Sequence, residues 1–272
     1  MGTSTRNKGQ SGHTPLVPSW LEEETQFVPA QPITQNTTTI PPNGDENRFR
    51  GPRTSFTHYI SEGGRDSGSM KRTISSYVNR SLGGSLKATT RLGTARGSAA
   101  RLYGILNNLS GGGAKEIAQR LSLGNIEGLP ASDFFVKIAA FICPDGGPND
   151  EGIARSAYYD AIADDPDLYG KPTESLTHEE CESVLQNFMS KVVLEQLMND
   201  IANKTITLPN NINEVAHIEE KVEQMIKQSV SDAFVDVRNR NIQITNNEAQ
   251  KITDSIYQKT YEILEGLGNG HV

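Results

Sequence analysis

Apolar residues are spread unevenly along the chain, and their spacing predicts where the helices lie. From residue 114 onward they recur every three or four positions, the period of a helix with one buried face. Ile117, Leu121 and Leu123 predict a short helix. Phe134, Phe135, Ile138, Phe141 and Ile142 predict a strongly apolar one that ends at Cys143-Pro144. Ile153, Ala157, Tyr158 and Ile162 predict a third, running to Asp164-Asp165-Pro166. Three longer helices follow. The first carries Cys181, Val184, Leu185, Phe188, Val192, Leu197 and Ile201 on one stripe. The second carries Val215, Ile218, Val222, Met225, Ile226, Val230 and Phe234, and the last Ile252, Ile256, Ile263, Leu264 and Leu267, ending at Gly266 and Gly268. Thr177-His178-Glu179-Glu180 reads as a capping box, in which hydroxyl and carboxylate each satisfy the other residue's amide. Alternating apolar and polar runs are scarce, so residues 114–272 are expected to form an all-α domain.

Upstream the pattern weakens. Residues 56–113 read as a basic, Gly/Ser-rich helical segment. Ile74, Tyr77, Val78 and Leu82 predict a short amphipathic helix, which Gly83-Gly84 interrupts. A second helix is expected from about Ser85 to Asn108, weakened by Gly93, Gly97 and Gly104 at about 1 kcal/mol each. Gly111-Gly112-Gly113 closes the region. Residues 1–55 show no period and hold seven of the thirteen prolines. A stretch so poor in apolar groups cannot offset the entropy of ordering it. The expected fold class is therefore mainly α, a helical body preceded by a long disordered Pro-rich N-terminal tail. One island stands out in that tail: Pro15, Leu16, Val17, Pro18, Trp20 and Leu21, with the chain's only tryptophan. Prolines favour an extended chain that presents side chains at low entropic cost, so this is a docking segment, either for the protein's own body or for a partner.

Composition agrees. Of 272 residues only 35% are hydrophobic, enough for one moderate core. Charge changes the picture more. The net charge of −7 conceals about +10 over residues 48–120 (thirteen basic, three acidic) and about −14 over residues 121–272. The basic stretch suits either nucleic-acid phosphates or the acidic surfaces of this body or of a partner. Arg65, Arg72, Arg80, Arg91 and Arg96 are the candidate contacts. Phe49, Phe56, Tyr59, Tyr77 and Tyr103 are few for base stacking. No run approaches the roughly 18 apolar residues that a membrane span needs. The N-terminus has no apolar signal region, and two cysteines form no disulfide framework. A cytoplasmic protein without a membrane segment is expected, and its N-x-[ST] matches are chance.

Motifs for chemistry are absent. There is no Walker A loop, no dinucleotide fingerprint, no C-x-x-C, no H-E-x-x-H and no G-x-S-x-G. The five histidines are scattered, so no metal site is expected. Cys143 and Cys181 read as small apolar core residues. The Asp145, Asp150 and Glu151 loop after Phe141-Ile142-Cys143-Pro144 is either a helix–loop–helix corner or an acidic metal or substrate loop, and the corner explains every residue. The chain reads as a non-enzyme that holds no bound cofactor. Gly2 is a subtler candidate. Removal of Met1 before so small a residue exposes a glycine amine, a nucleophile whose pKa is ordinarily about 7.7–8.0. Arg6 stands where the myristoylation pattern needs Ser or Thr.

Several segments carry a resemblance. They are Met1-Gly2-Thr3-Ser4-Thr5, Thr14 to Leu21, Asn47-Arg48-Phe49-Arg50, Gly63-Gly64-Arg65-Asp66, Tyr77-Val78 with Arg80-Ser81-Leu82-Gly83-Gly84, and Phe141 to Pro148 with Asp150 to Tyr158. Together they resemble the QatB family over most of the first 160 residues, while the C-terminal third matches only in type. The resemblance implies a component of the Qat anti-phage defence system. It implies partners too: a QueC-like enzyme (QatC-type), an ATPase (QatA-type) and a TatD-like nuclease (QatD-type). QueC-like chemistry joins a 7-deazaguanine carboxylate to an amine, so the resemblance makes Gly2 the acceptor of a covalent 7-deazaguanine derivative. A tail of this composition gives Gly2 a reach of tens of ångströms, at about 5–6 Å times the square root of its length. The alternative is a nucleic-acid-binding sensor that uses residues 48–120.

Overall fold

Every regular element among the described residues is helical. The structure, a computed structural model, describes residues 47–144, 149–201, 212–239 and 248–269. Gly2, Trp20 and the rest of the expected docking segment lie outside them. The helices in order are α1 (Arg50–Ser61), α2 (Ser67–Ser76), α3 (Ser85–Arg91), α4 (Thr94–Ser110), α5 (Ala114–Arg120) and α6 (Ala131–Ile142). They continue with α7 (Asn149–Ala163), the short α8 (Asp167–Gly170), α9 (His178–Ile201), α10 (Ile212–Asn239) and α11 (Ala249–Gly266). A wide π-type turn, Tyr77–Leu82, prolongs α2, and a 3-10 turn, Leu267–Asn269, follows α11.

Four helices build the centre. α4 packs on α9, α9 on α10, α10 on α11 and α11 back on α4, closing a ring. α4 enters it through small residues, Ala95, Ser98 and Ala99, which let its neighbours approach closely. α9 was expected to bury one stripe, but Met189, Ser190, Val193 and Gln196 are buried as well. The reason is a second neighbour: α7 lies along α9 and covers what would otherwise face water. α2 and α3 cover the end of α11, with α1 packed in turn on α2, and the Ser75 hydroxyl donates to the Glu265 carbonyl (2.6 Å).

The capping box at Thr177 is formed. The Glu180 amide donates to the Thr177 hydroxyl (3.2 Å), and the Thr177 amide donates to the Glu180 carboxylate (2.8 Å). Lys171 holds the same carboxylate at 2.6 Å. Thr177→Ala is expected to cost about 1 kcal/mol, because one α9 amide loses its partner. In a protein of this size that is a fall of about 2–4 °C in Tm by calorimetry.

Three expected boundaries move. The tail was expected to run to residue 55, but α1 begins at Arg50 and Phe49 is already in the core. Pro52 sits in the first turn of α1, where a missing amide costs nothing. The division expected at residue 113 is not a structural one, because Gly44–Val272 form one compact unit. The helix expected from Ser85 to Asn108 is two helices. Gly93, at φ +51° and ψ −121°, takes a backbone conformation closed to other residues, whereas Gly97 and Gly104 stay helical.

Candidate functional site

The root of the N-terminal segment is fastened to the end of α9. Phe49 is buried, and three guanidinium groups surround its ring, those of Arg48 at 4.7 Å, Arg53 at 5.4 Å and Arg91 at 5.7 Å. Such contacts strengthen as water is excluded. Asp200 collects the rest of the cluster. Its carboxylate accepts from Arg91 (2.9 Å), the Tyr77 hydroxyl (2.9 Å) and Gln196 (3.2 Å). Its carbonyl accepts twice from Arg53, at 2.8 and 3.1 Å. The Asp200 side chain is only 12% exposed. Arg48 is tied in by its own carbonyl, which accepts from Ser81 (2.6 Å). The Asn47-Arg48-Phe49-Arg50 motif is thus the anchor at which the described body begins.

Burial raises the hydroxyl pKa of Tyr77, Tyr158, Tyr257 and Tyr261 above the usual value near 10, and Asp200 adds to the effect at Tyr77. A folded-state pKa above the unfolded one gives stability that is complete below pH about 10 and is lost as pH rises. Four of the eight tyrosines should therefore stay un-ionised until the protein opens. In an alkaline titration their phenolate absorbance is expected to appear together with the loss of helical circular dichroism.

The candidate cations divide into two groups. Arg91 pairs with Asp200, and Arg96 makes a bidentate pair with Asp254. Both have folded inward onto the acidic helices. Arg101 behaves alike, donating to the Ile142 carbonyl (2.9 Å) and to Ser98 (3.1 Å). Arg65, Arg72 and Arg80 are exposed, and Arg72 lies 3.4 Å from Asp66. The structure therefore does not bring the five arginines together. Of the candidate stacking residues, Phe49, Phe56, Tyr59 and Tyr77 are core.

Of the cavities that open on the described body, two exceed about 400 Å³. One, of about 410 Å³, lies at the start of α4 among Thr94, Arg96, Gly97, Arg101, Cys143 and Pro144. The other, of about 510 Å³, is a largely apolar groove between α4, α9, α10 and α11, with Leu106, Leu185, Phe234 and Ile256 in its wall and Glu182 and Arg238 paired at its edge. Neither was legible in the sequence, since each draws on helices far apart in the chain. Cys143 and Cys181 are buried and not disulfide-bonded, as expected of core residues. Burial pushes the Cys181 thiol up to about 11, away from nucleophilic use. No group of three or more metal-ligating side chains occurs among the described residues. The side chains of Asp145, Asp150 and Glu151 lie outside them, in the span between α6 and the start of α7. No helix of the described residues is long and apolar enough to cross a membrane.

A family model, described as Qat anti-phage system associated protein QatB, matches residues 83–264. The chain belongs to the QatB family. That match runs from α3 to Leu264 in the last turn of α11, so it takes in nearly all of the ring of four helices and the Phe141–Tyr158 segment. QatB membership makes the protein a component of a Qat anti-phage system. The matched span starts after Gly2, the Pro-Trp island and the Phe49 anchor, so the family is carried by the body. The C-terminal helices, which resembled the family only in type, lie inside the QatB match. No curated protein and no solved structure matches the chain.

Proposed function

We propose that this QatB protein is a non-catalytic component whose N-terminal glycine is the substrate of a QueC-like, QatC-type enzyme. After Met1 is removed, the Gly2 nitrogen attacks the carbonyl carbon of a 7-deazaguanine carboxylate that the partner has adenylated with ATP. An amide bond forms, AMP leaves, and the amine gives up its proton to solvent. The helical body then acts in the cytoplasm as an adaptor for a QatA-type ATPase and a QatD-type TatD-like nuclease.

The observation that carries this reading is Gly2 directly after Met1, in a member of a family tied to the Qat system. The anchored root supports it. Arg48, Phe49 and Arg53 hold the chain firmly at the body, and 47 residues precede Arg48. An anchored root with a long leading segment raises the effective concentration of the amine at an enzyme docked nearby. A Gly2→Leu variant tests the reading. The large side chain keeps Met1 in place, so the variant is expected to gain no base when co-expressed with the partner, whereas the parent protein does. An adduct of equal yield on Gly2→Leu would overturn it.

A further inference from the structure

Several cations that the core does not use lie along one helix and its flanks. α2 runs without a break into the π-type turn, giving a continuous helix from Ser67 to Leu82. Its inner side is Met70, Thr73, Ile74, Tyr77, Val78, Ser81 and Leu82. Beyond its first residue, the exposed positions are Lys71, Arg72, Asn79 and Arg80, and no others. The outer face therefore carries the basic pair Lys71-Arg72 and, eight residues on, Arg80 beside the neutral Asn79, about 12 Å along the axis at 1.5 Å per residue. Arg65 precedes the helix and Lys87 follows it, both exposed, with Lys87 lying back against Gly83. The Ser81–Arg48 hydrogen bond brings the Arg48 to Arg50 backbone beside Arg80. Over residues 48–90 only Glu62 and Asp66 are acidic, against eight basic residues, of which Arg53 is spent on Asp200.

We propose that this outer face of α2 and its π-type extension, with Arg65 and Lys87 at its ends, is a docking surface for the phosphate backbone of double-stranded nucleic acid. Three observations favour that partner over a protein or a single strand. The face of the helix has no exposed apolar side chain, whereas protein interfaces centre on apolar and aromatic anchors. Among the described residues of α1 to α3, Leu86, 65% exposed on α3, is the one large apolar side chain that is exposed. Bases have no platform to stack on, since Phe49, Phe56, Tyr59 and Tyr77 are buried. Finally, Arg65, Lys71, Arg80 and Lys87 enter no ion pair among the described residues, while Arg53, Arg91, Arg96 and Arg101 are all held within the fold. The contact is electrostatic and independent of sequence. It rests on this surface alone and not on the fate of Gly2.

The test is fluorescence anisotropy of the purified full chain with a labelled random-sequence DNA duplex of about 30 base pairs, a length that offers many overlapping backbone sites. Binding should weaken steeply between about 50 and 200 mM salt, with a log–log slope of about −4.5 for five neutralised phosphates. The exposed triple variant Lys71→Ala, Arg80→Ala and Lys87→Ala should bind at least tenfold more weakly, and its slope should flatten by about 2.7, close to 0.9 for each lost contact. Circular dichroism and Tm should be nearly unchanged, because none of the three side chains hydrogen-bonds or ion-pairs with a described residue. A control triple on α5 and α6, Lys115→Ala, Arg120→Ala and Lys137→Ala, should bind like the parent. No binding at the lower salt, equal loss in both triples, or equally effective displacement by polyglutamate and by unlabelled duplex would each overturn the proposal.

Discussion

Replacing Asp200 with Ala is expected to cost about 3 kcal/mol of stability, the lower end of what breaking one side of a buried ion pair costs. In a body of this size that corresponds to a fall of about 6–12 °C in Tm. The reasoning starts from what is left behind. Arg91 loses the carboxylate 2.9 Å away while it remains two-thirds covered. The Tyr77 hydroxyl, inside a side chain only 1% exposed, loses its acceptor. A stranded polar group of that kind costs about 1–3 kcal/mol by itself. Arg53 still reaches the residue 200 carbonyl, so the anchor loosens without detaching. Two features separate this from an ordinary surface pair. Adding Arg91→Met to Asp200→Ala should recover at least half of the loss, because the uncompensated charge is then gone. Raising the salt should change little, since the pair is largely out of water. A loss below about 1 kcal/mol would place the cluster among surface ion pairs and remove its role as an anchor.

Removing residues 2–21 is expected to have the larger biological effect. The described core begins at Phe49, so the truncated protein should keep its helical circular dichroism and its Tm. Phage protection should nevertheless fall to that of cells without the system, because the acceptor glycine and the Pro-Trp segment are both lost. Full protection by the truncated protein would contradict the proposed function. Joint loss of fold and protection would show that the segment is needed for the core instead.

Much of this body was legible in the sequence. The three-four spacing of Val184, Leu185, Phe188 and Val192 needs no partner to be recognised, and the Thr177–Glu180 box is local. Less visible was anything set by distant neighbours. That α7 would cover the second side of α9 is not encoded in α9. Nor does composition show which glycine breaks a helix: Gly93, Gly97 and Gly104 look alike until one adopts a positive φ. Phe49 was hidden by the prolines around it, although Pro52 is well placed for a first helical turn. Which cations face the acidic body was open in the sequence for the same reason. Their partners, Asp200 and Asp254, lie more than a hundred positions away, so the charge of a segment could not reveal which members would turn inward. The five exposed on the α2 side are what remains after the core has taken its share.

The central claim concerns one atom, the Gly2 nitrogen. Its most direct test is the intact mass, with tandem sequencing of the N-terminal peptide, of this protein purified from cells that carry the whole system. The account predicts a chain without Met1 that carries one 7-deazaguanine acyl group on Gly2, and the same chain bare when the QueC-like partner is deleted. A bare Gly2 in the presence of every partner, or an identical adduct without the QueC-like enzyme, would contradict it.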